Sequence, residues 1–216
     1  FSDDINIVIQ DGGSAYDVSE VISQYPHLKA MISFTQESDK GIYDAMNKAV
    51  SRCKTDFVMF LNCGDCLAGG MQEVLLLALK NIDSQFGCVK FLADVCGEGI
   101  TIERATRTYF FRRMLNHQSI IYRKEIFEDV GFDENLNIVG DLKHFLEAKL
   151  SDSVSYIDIV LIKYMNGGVA SNSRGIRQNW IERSSAWRWN IKKSQKIIIL
   201  LGVVIRFLLY FSFVKR

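Results

Sequence analysis

Proline is almost absent from this chain: Pro26 stands alone among 216 residues. That excludes a proline-rich linker between domains. An excess of one charge is lacking too. Lys and Arg number 26 against 25 Asp and Glu, a formal net charge of +1. The balance gives no argument for nucleic acid, and none is expected as a partner. No repeat recurs at solenoid spacing. The five cysteines, at 53, 63, 66, 88 and 96, are odd in number, and reduced thiols are the expected state. Cys63-Gly-Asp-Cys66 has the spacing of a redox or zinc half-site, but no second C-x-x-C follows it. What remains is ordinary globular composition, 48% hydrophobic and 24% charged, enough for one domain with a real core.

Hydrophobic patterning divides the chain into two textures. Asn6 to Gln10 is a short apolar run bounded by turn residues, a buried strand. Asp11-Gly-Gly-Ser14 is its turn, and Ser14 or Asp17 caps a helix from Ala15 to Tyr25. Leu28 to Ser33 reads as a strand. Glu37 to Lys40 is loop, Ile42 to Val50 has helical spacing, and Phe57 to Leu61 is an apolar strand ending in Asn62-Cys-Gly-Asp65. A helix from Met71 to Asn81 follows. This alternation predicts a mostly parallel sheet with helices on both faces. Beyond it, Phe86 to Val95 and Ile100 to Thr108 read as a hairpin. Gln118 to Tyr122 is a strand, Lys124 to Val130 a short helix, and Phe132 to Val139 a loop. Asp141 to Leu150 is a helix, Tyr156 to Tyr164 a last strand, and Asn166 to Ser173 a small polar loop.

From Arg174 onward the texture changes again. The stretch to Lys196 carries seven Arg and Lys against one acid, Glu182, with Trp180, Trp187 and Trp189 interleaved. Ile197 to Val214 is apolar except for polar breaks that include Arg206. Two readings are open. One is a helix packed on the domain. The other, favoured, is a helix on a membrane surface with Trp and basic groups at the headgroups. Length allows a full span, but Arg206 near its centre costs about 2.5–3.5 kcal/mol on insertion scales. Residues 1–173 are therefore expected to form one domain and 174–216 a helical membrane-associating tail.

The central stretch points to chemistry. A carboxylate at the carboxyl end of a buried strand lies where open α/β sheets bind ligands, and a helix N-terminus beside it favours phosphate. Here the chain also resembles the family 2 glycosyltransferases of GT-A fold, in the subgroup that builds bacterial surface polysaccharides. The resemblance is carried by Gln10 to Ser14, Glu37 to Lys48, Phe60 to Asp65, Asn116-His-Gln-Ser119, Val130 to Glu134 and Gly140-Asp141, in the family's order. It implies a mixed, mainly parallel sheet flanked by helices. It also implies a further strand and helix ahead of the first strand seen here, so the sequence is expected to be truncated at its amino end relative to the family.

The roles that follow are those the resemblance implies. Asp65 is the metal ligand for Mg²⁺ or Mn²⁺, standing where the family carries Asp-x-Asp. Its alternative is to cap the following turn. Asp11, Asp39, Gly41, Asp44 and Asn47 contact the nucleotide sugar. The alternatives are an Asx-turn at Asp11 and capping and solvation of the first helical turn for Asp39, Gly41, Asp44 and Asn47. Asp141 is the general base that takes the proton from the attacking hydroxyl, its alternative being an N-cap-like acid in the first turn of the helix 141–150, and Asp133 and Glu134 are the fallback acids. His117 and Gln118 line the sugar and acceptor pocket. No role is assigned to His27 or His144. The expected activity is inverting transfer of a sugar, from a UDP-sugar, to a hydroxyl of a lipid-linked glycan. Its place is the cytoplasmic face of the bacterial inner membrane. The rival expectations are a sugar nucleotidyltransferase and a non-catalytic membrane-associated scaffold.

Overall fold

The computed structural model describes residues 5–67, 75–76, 79–80, 82, 86–94, 100–103, 117–149, 155–164 and 173–214. The loop at 166–173 and the hairpin turn at 97–99 fall largely or wholly outside these residues. The described part opens with β1 (Ile7–Asp11) and α1 (Val18–Ser23), whose N-cap is Asp17, its carboxylate accepting from Ser19 N. The second strand, β2 (Ile32–Gln36), starts later than Leu28. Pro26 is the cause: it opens a 3₁₀ turn over Pro26–Leu28, where a missing N–H and a fixed φ suit a first helical position. β1 and β2 pair in parallel, Ile7 opposite Ile32 and Asp11 opposite Gln36.

The helix α2 (Ile42–Arg52) and strand β3 (Phe57–Met59) stand where the patterning put them. A two-residue strand, β4 (Cys66–Leu67), follows the Asp65 turn. The expected helix over 71–81 is described only at 75–76 and 79–80, all helical. β5 (Phe86–Asp94) and β6 (Ile100–Glu103) form the expected antiparallel hairpin. β7 (Ile120–Arg123) is entered through a 3₁₀ turn at His117–Ser119. Then come α3 (Ile126–Asp129), α4 (Gly140–Glu147) and β8 (Ser155–Tyr164).

The larger sheet runs β3-β7-β5-β8-β4, with β6 on β5. The expectation of a mainly parallel sheet is corrected here. Among the described pairs, β1–β2 and β5–β8 are parallel, whereas β3–β7, β5–β7, β5–β6 and β4–β8 are antiparallel. Strand–helix alternation gives parallel pairs only where the consecutive strands lie side by side, as β1 and β2 do, and β3 pairs with β7 instead. After β3 the chain doubles back by a hairpin and by strands entering from the opposite end.

β7 explains why this sheet is stable. Ile120 and Tyr122 are buried on one face and Ile121 on the other. An unbroken apolar run is what a strand covered on both faces requires. Each such isoleucine contributes roughly 1.5–3 kcal/mol by burial. The first face packs on Tyr43, Met46 and Val50 of α2 and on Leu142, Phe145 and Leu146 of α4. The second packs on Ile157, Ile162 and Ile82.

The carboxyl-terminal stretch forms α5 (Ser173–Ser184), a 3₁₀ turn at Ser185–Arg188 and α6 (Lys193–Val214). Its first part does not stand apart. Ala186, Trp189 and Ile199 belong to the same core as α2 and α4, so the packing reading holds for that part. Trp187, Ile197, Leu201, Val204 and Ile205 are exposed. Among the described residues no helix is long and apolar enough to cross a membrane.

Candidate active site

Three loops at the carboxyl ends of β1, β2 and β3 form one side of the site. Asp11 ends β1 with its carboxylate committed locally. It accepts from Ser14 Oγ at 2.7 Å, from the Ser14 and Gly13 amides, and from Gln36 Nε2 at 2.8 Å. These bonds, the Ser14 hydroxyl foremost, hold the Asp11 carboxyl below its ordinary range. Asp11 thus shapes the turn that carries Gly12. A Cβ at Gly12 would overlap the Asp39 carboxylate, so the two loops touch, and a larger residue at 12 would displace the Asp39 side chain. Asp39 in turn accepts from Gly41 N at 2.9 Å. Gly41 is the N-cap of α2 with φ +135°, a conformation that favours glycine.

The two polar residues of α2, Asp44 and Asn47, are engaged differently. Asp44 accepts from Lys40 N at 2.8 Å and from Lys48 Nζ at 3.0 Å. The Lys40 amide is the main reason its carboxyl titrates below the usual range. This is a capping acid in the first turn. Asn47 turns toward a neighbouring loop. Its Nδ2 donates to Phe132 O at 2.9 Å and its Oδ1 accepts from Phe132 N at 2.9 Å. Its amide clamps the 131–134 loop, a task that uses both of its polar ends. Glu134, a fallback acid, pairs with Lys40 on the surface, and Asp133 pairs with Lys143.

The other side of the site comes from the 3₁₀ turn before β7 and from α4. Here the distant pieces meet. Gln118 Nε2 donates to Asp65 Oδ2 at 2.6 Å. The adjacent His117 places Nδ1 3.4 Å from Asp141 Oδ2 and Nε2 3.3 Å from Asn62 Oδ1. Both flanking atoms are acceptors, so the ring donates to the two of them together only when protonated. Asp65 and Asp141 are therefore joined through two consecutive residues. Asp141 is buried, at 6% exposure. It accepts from Tyr43 OH at 3.3 Å and from Leu142 N at 2.7 Å. Burial first, and then the Asp141 charge, keep the Tyr43 hydroxyl protonated, so Tyr43 stays a donor. Tyr43 was not among the expected site residues, because nothing local distinguishes it from an ordinary core aromatic of α2.

Gly140 fixes the spacing of this assembly. A Cβ there would stand 2.6 Å from the Tyr43 ring, which is itself buried. Gly140→Ala is expected to destabilise the domain by about 1–3 kcal/mol, as overpacking does. A urea titration compared with the parent checks this; an unchanged midpoint would mean that Tyr43 has room to move.

As for a cation, the donor set is one hard carboxylate, Asp65, next to an imidazole and an amide. Among the described residues no group of three His, Cys, Asp or Glu assembles. That set fits Mg²⁺ or Mn²⁺ only when a diphosphate supplies further oxygens. Cys53, Cys63 and Cys66 are free thiols, so Cys63 and Cys66 form no disulfide with each other.

This fold is that of a GT-A-like glycosyltransferase. Residues 1–132 match the model of glycosyl transferase family 2, and the chain belongs to that family. Relatives include the PGL/p-HBAD biosynthesis glycosyltransferases of Mycobacterium bovis and Mycobacterium tuberculosis. They are 24% identical over 180 residues, covering 79% of this chain and 69% of theirs. Among solved structures, S. aureus TarS 1-349 in complex with UDP-GlcNAc superposes with a TM-score of 0.68 at 16% identity, over 93% of this chain. The same protein in complex with UDP gives 0.66. This chain spans 63% of the length of that TarS chain.

Proposed function

We propose that this chain carries the catalytic machinery of an inverting glycosyltransferase that moves a sugar from a UDP-sugar to a hydroxyl of a lipid-linked glycan. The observation that carries this reading is the junction of Asp65 and Asp141 through Gln118 and His117. Inversion needs a base on the face of the sugar opposite the leaving diphosphate. Asp141 takes the proton of the acceptor hydroxyl, while Tyr43 and His117 hold its carboxylate in place. The Gly12–Asp39 contact and the Gly41 cap set the loops that receive the nucleotide. TarS, solved with UDP-GlcNAc, supports a uridine nucleotide as donor. When bound, Mg²⁺ or Mn²⁺ neutralises charge on the departing diphosphate, with Asp65 as its protein ligand.

The acceptor reading rests on the tail. Exposed Trp187, Ile197, Leu201 and Val204 share this stretch with exposed Arg188, Lys192 and Lys193, the composition of a segment at a lipid surface. A lipid-linked acceptor at the cytoplasmic face of a bacterial inner membrane is reached from such a surface.

The test is incubation with a panel of nucleotide sugars and Mn²⁺. Slow hydrolysis with release of UDP is expected. Release of pyrophosphate would instead mark a nucleotidyltransferase, and no release a scaffold. Asp65→Ala is expected to abolish the Mn²⁺-dependent part of UDP binding, read by calorimetry. An unchanged Mn²⁺ titration would remove Asp65 as the ligand.

A further inference from the structure

The one acid in the basic stretch 174–196 is put to use far from its own helix. Glu182 lies on α5 and is 4% exposed. Its Oε1 accepts from Asn137 N at 2.8 Å, and its Oε2 accepts from Ile138 N at 2.9 Å and Val139 N at 3.0 Å. Gln178 Nε2, one turn earlier, donates to Oε1 at 2.9 Å. A buried carboxylate is tolerated when enough donors surround it. Three consecutive backbone amides and one side-chain amide meet that need, and no cation pairs with it among the described residues.

Those three amides lead directly into α4. Val139 is the N-cap of α4 and makes no side-chain cap of its own. A helix start leaves amides unpaired and carries partial positive charge, so it takes a carboxylate from elsewhere. Glu182 supplies that charge across 43 residues of sequence. The next two residues are Gly140, flush against the Tyr43 ring, and Asp141, bonded to the Tyr43 hydroxyl. The segment has no slack: a shift at 138–139 carries Asp141 away from both Tyr43 and His117.

We infer that Glu182 is a positioning residue that sets the place of Asp141 by capping α4 from the tail. This rests on the reading of Asp141 as the base. The cap depends on a charged acceptor. Gln at 182 presents an NH₂ to one side of the amide row and leaves a donor facing a donor. Asp keeps the charge but withdraws it by one methylene.

The experiment uses the full chain and its Glu182→Gln and Glu182→Asp variants, with two readouts. Amide hydrogen exchange at 137–139 is expected to quicken at least tenfold in Glu182→Gln. Turnover of the UDP-sugar is expected to fall about 10- to 100-fold in kcat, the scale of a small misplacement at a reacting group, with donor KM nearly unchanged. Glu182→Asp is expected to recover part of kcat at a melting temperature similar to that of Glu182→Gln; a purely structural role would make kcat follow melting temperature instead. Unchanged exchange overturns the cap. Faster exchange with an unchanged kcat overturns the positioning role. Should Glu182→Gln fail to fold, Glu182→Asp carries both readouts. If the parent chain turns over no donor, the transferase reading fails and the positioning role falls with it, while exchange still decides whether the tail caps α4.

Discussion

Asp141→Asn is expected to lower kcat by about 10²- to 10⁴-fold, the usual worth of the positioned general base proposed for it, and to leave UDP affinity as it was. The asparagine keeps the size of the side chain and an oxygen able to accept from Leu142 N at 2.7 Å and Tyr43 OH at 3.3 Å. It removes the negative charge and the basicity. His117 Nδ1, 3.4 Å away, then faces an amide in place of a carboxylate oxygen. Nucleotide affinity is expected to be spared because Asp11, Asp39 and Gly41, the residues proposed to receive the nucleotide, make no hydrogen bond to Asp141 among the described residues. Single-turnover transfer measured beside UDP binding separates the two quantities. A variant that turns over at the parent rate would strip Asp141 of its role, and loss of UDP binding would place it in the donor pocket instead.

Acidification is expected to cost the fold about 3 kcal/mol at His144 alone, almost all of it between pH 6.5 and pH 4. The ring is 1% exposed, stacked on Phe127 at 4.7 Å and packed against Phe132 and Tyr122. Among the described residues neither ring nitrogen makes a well-formed hydrogen bond. Burial pushes its pKa down from 6.5 to about 4, against weaker opposing pulls from the Val130 backbone and the Asp141 charge. Above pH 6.5 the ring is neutral folded and unfolded, and its burial is without proton cost. Between 6.5 and 4 only the unfolded chain takes up the proton, so stability falls with pH. Below 4 both states are protonated and the loss is complete. The displacement from 6.5 to about 4 corresponds to the stated energy at 1.36 kcal/mol per pH unit. His144→Phe keeps an aromatic ring in the stack and has no proton to bind. The difference in urea stability between parent and variant is expected to grow as pH drops from 7 to 4.5. A difference that stays constant would mean that His144 titrates normally.

Much of the fold was legible before any coordinates. The spacing predicts a helix over Ile42 to Val50, and α2 runs Ile42–Arg52. Its apolar residues recur with helical period, and Gly41 stops it at one end. The Asp65 turn was legible for a similar reason, since a short apolar run broken by Asn-Cys-Gly-Asp has few other ways to fold. Elements of this kind are set by interactions within a few residues, which leave their mark on the local order of side chains.

What only the tertiary structure decided are the partners. Asn47 and Asp44 lie three apart on one helix, yet one clamps Phe132 and the other caps its own first turn. Tyr43 meets Asp141 across 98 residues, and Glu182 reaches α4 across 43. The direction of the strands after β3 belongs to the same group. Hydrophobic period shows that a segment is buried, and it is silent on which other segment buries it. Long-range pairing depends on how whole layers pack, and no single stretch of sequence carries that information.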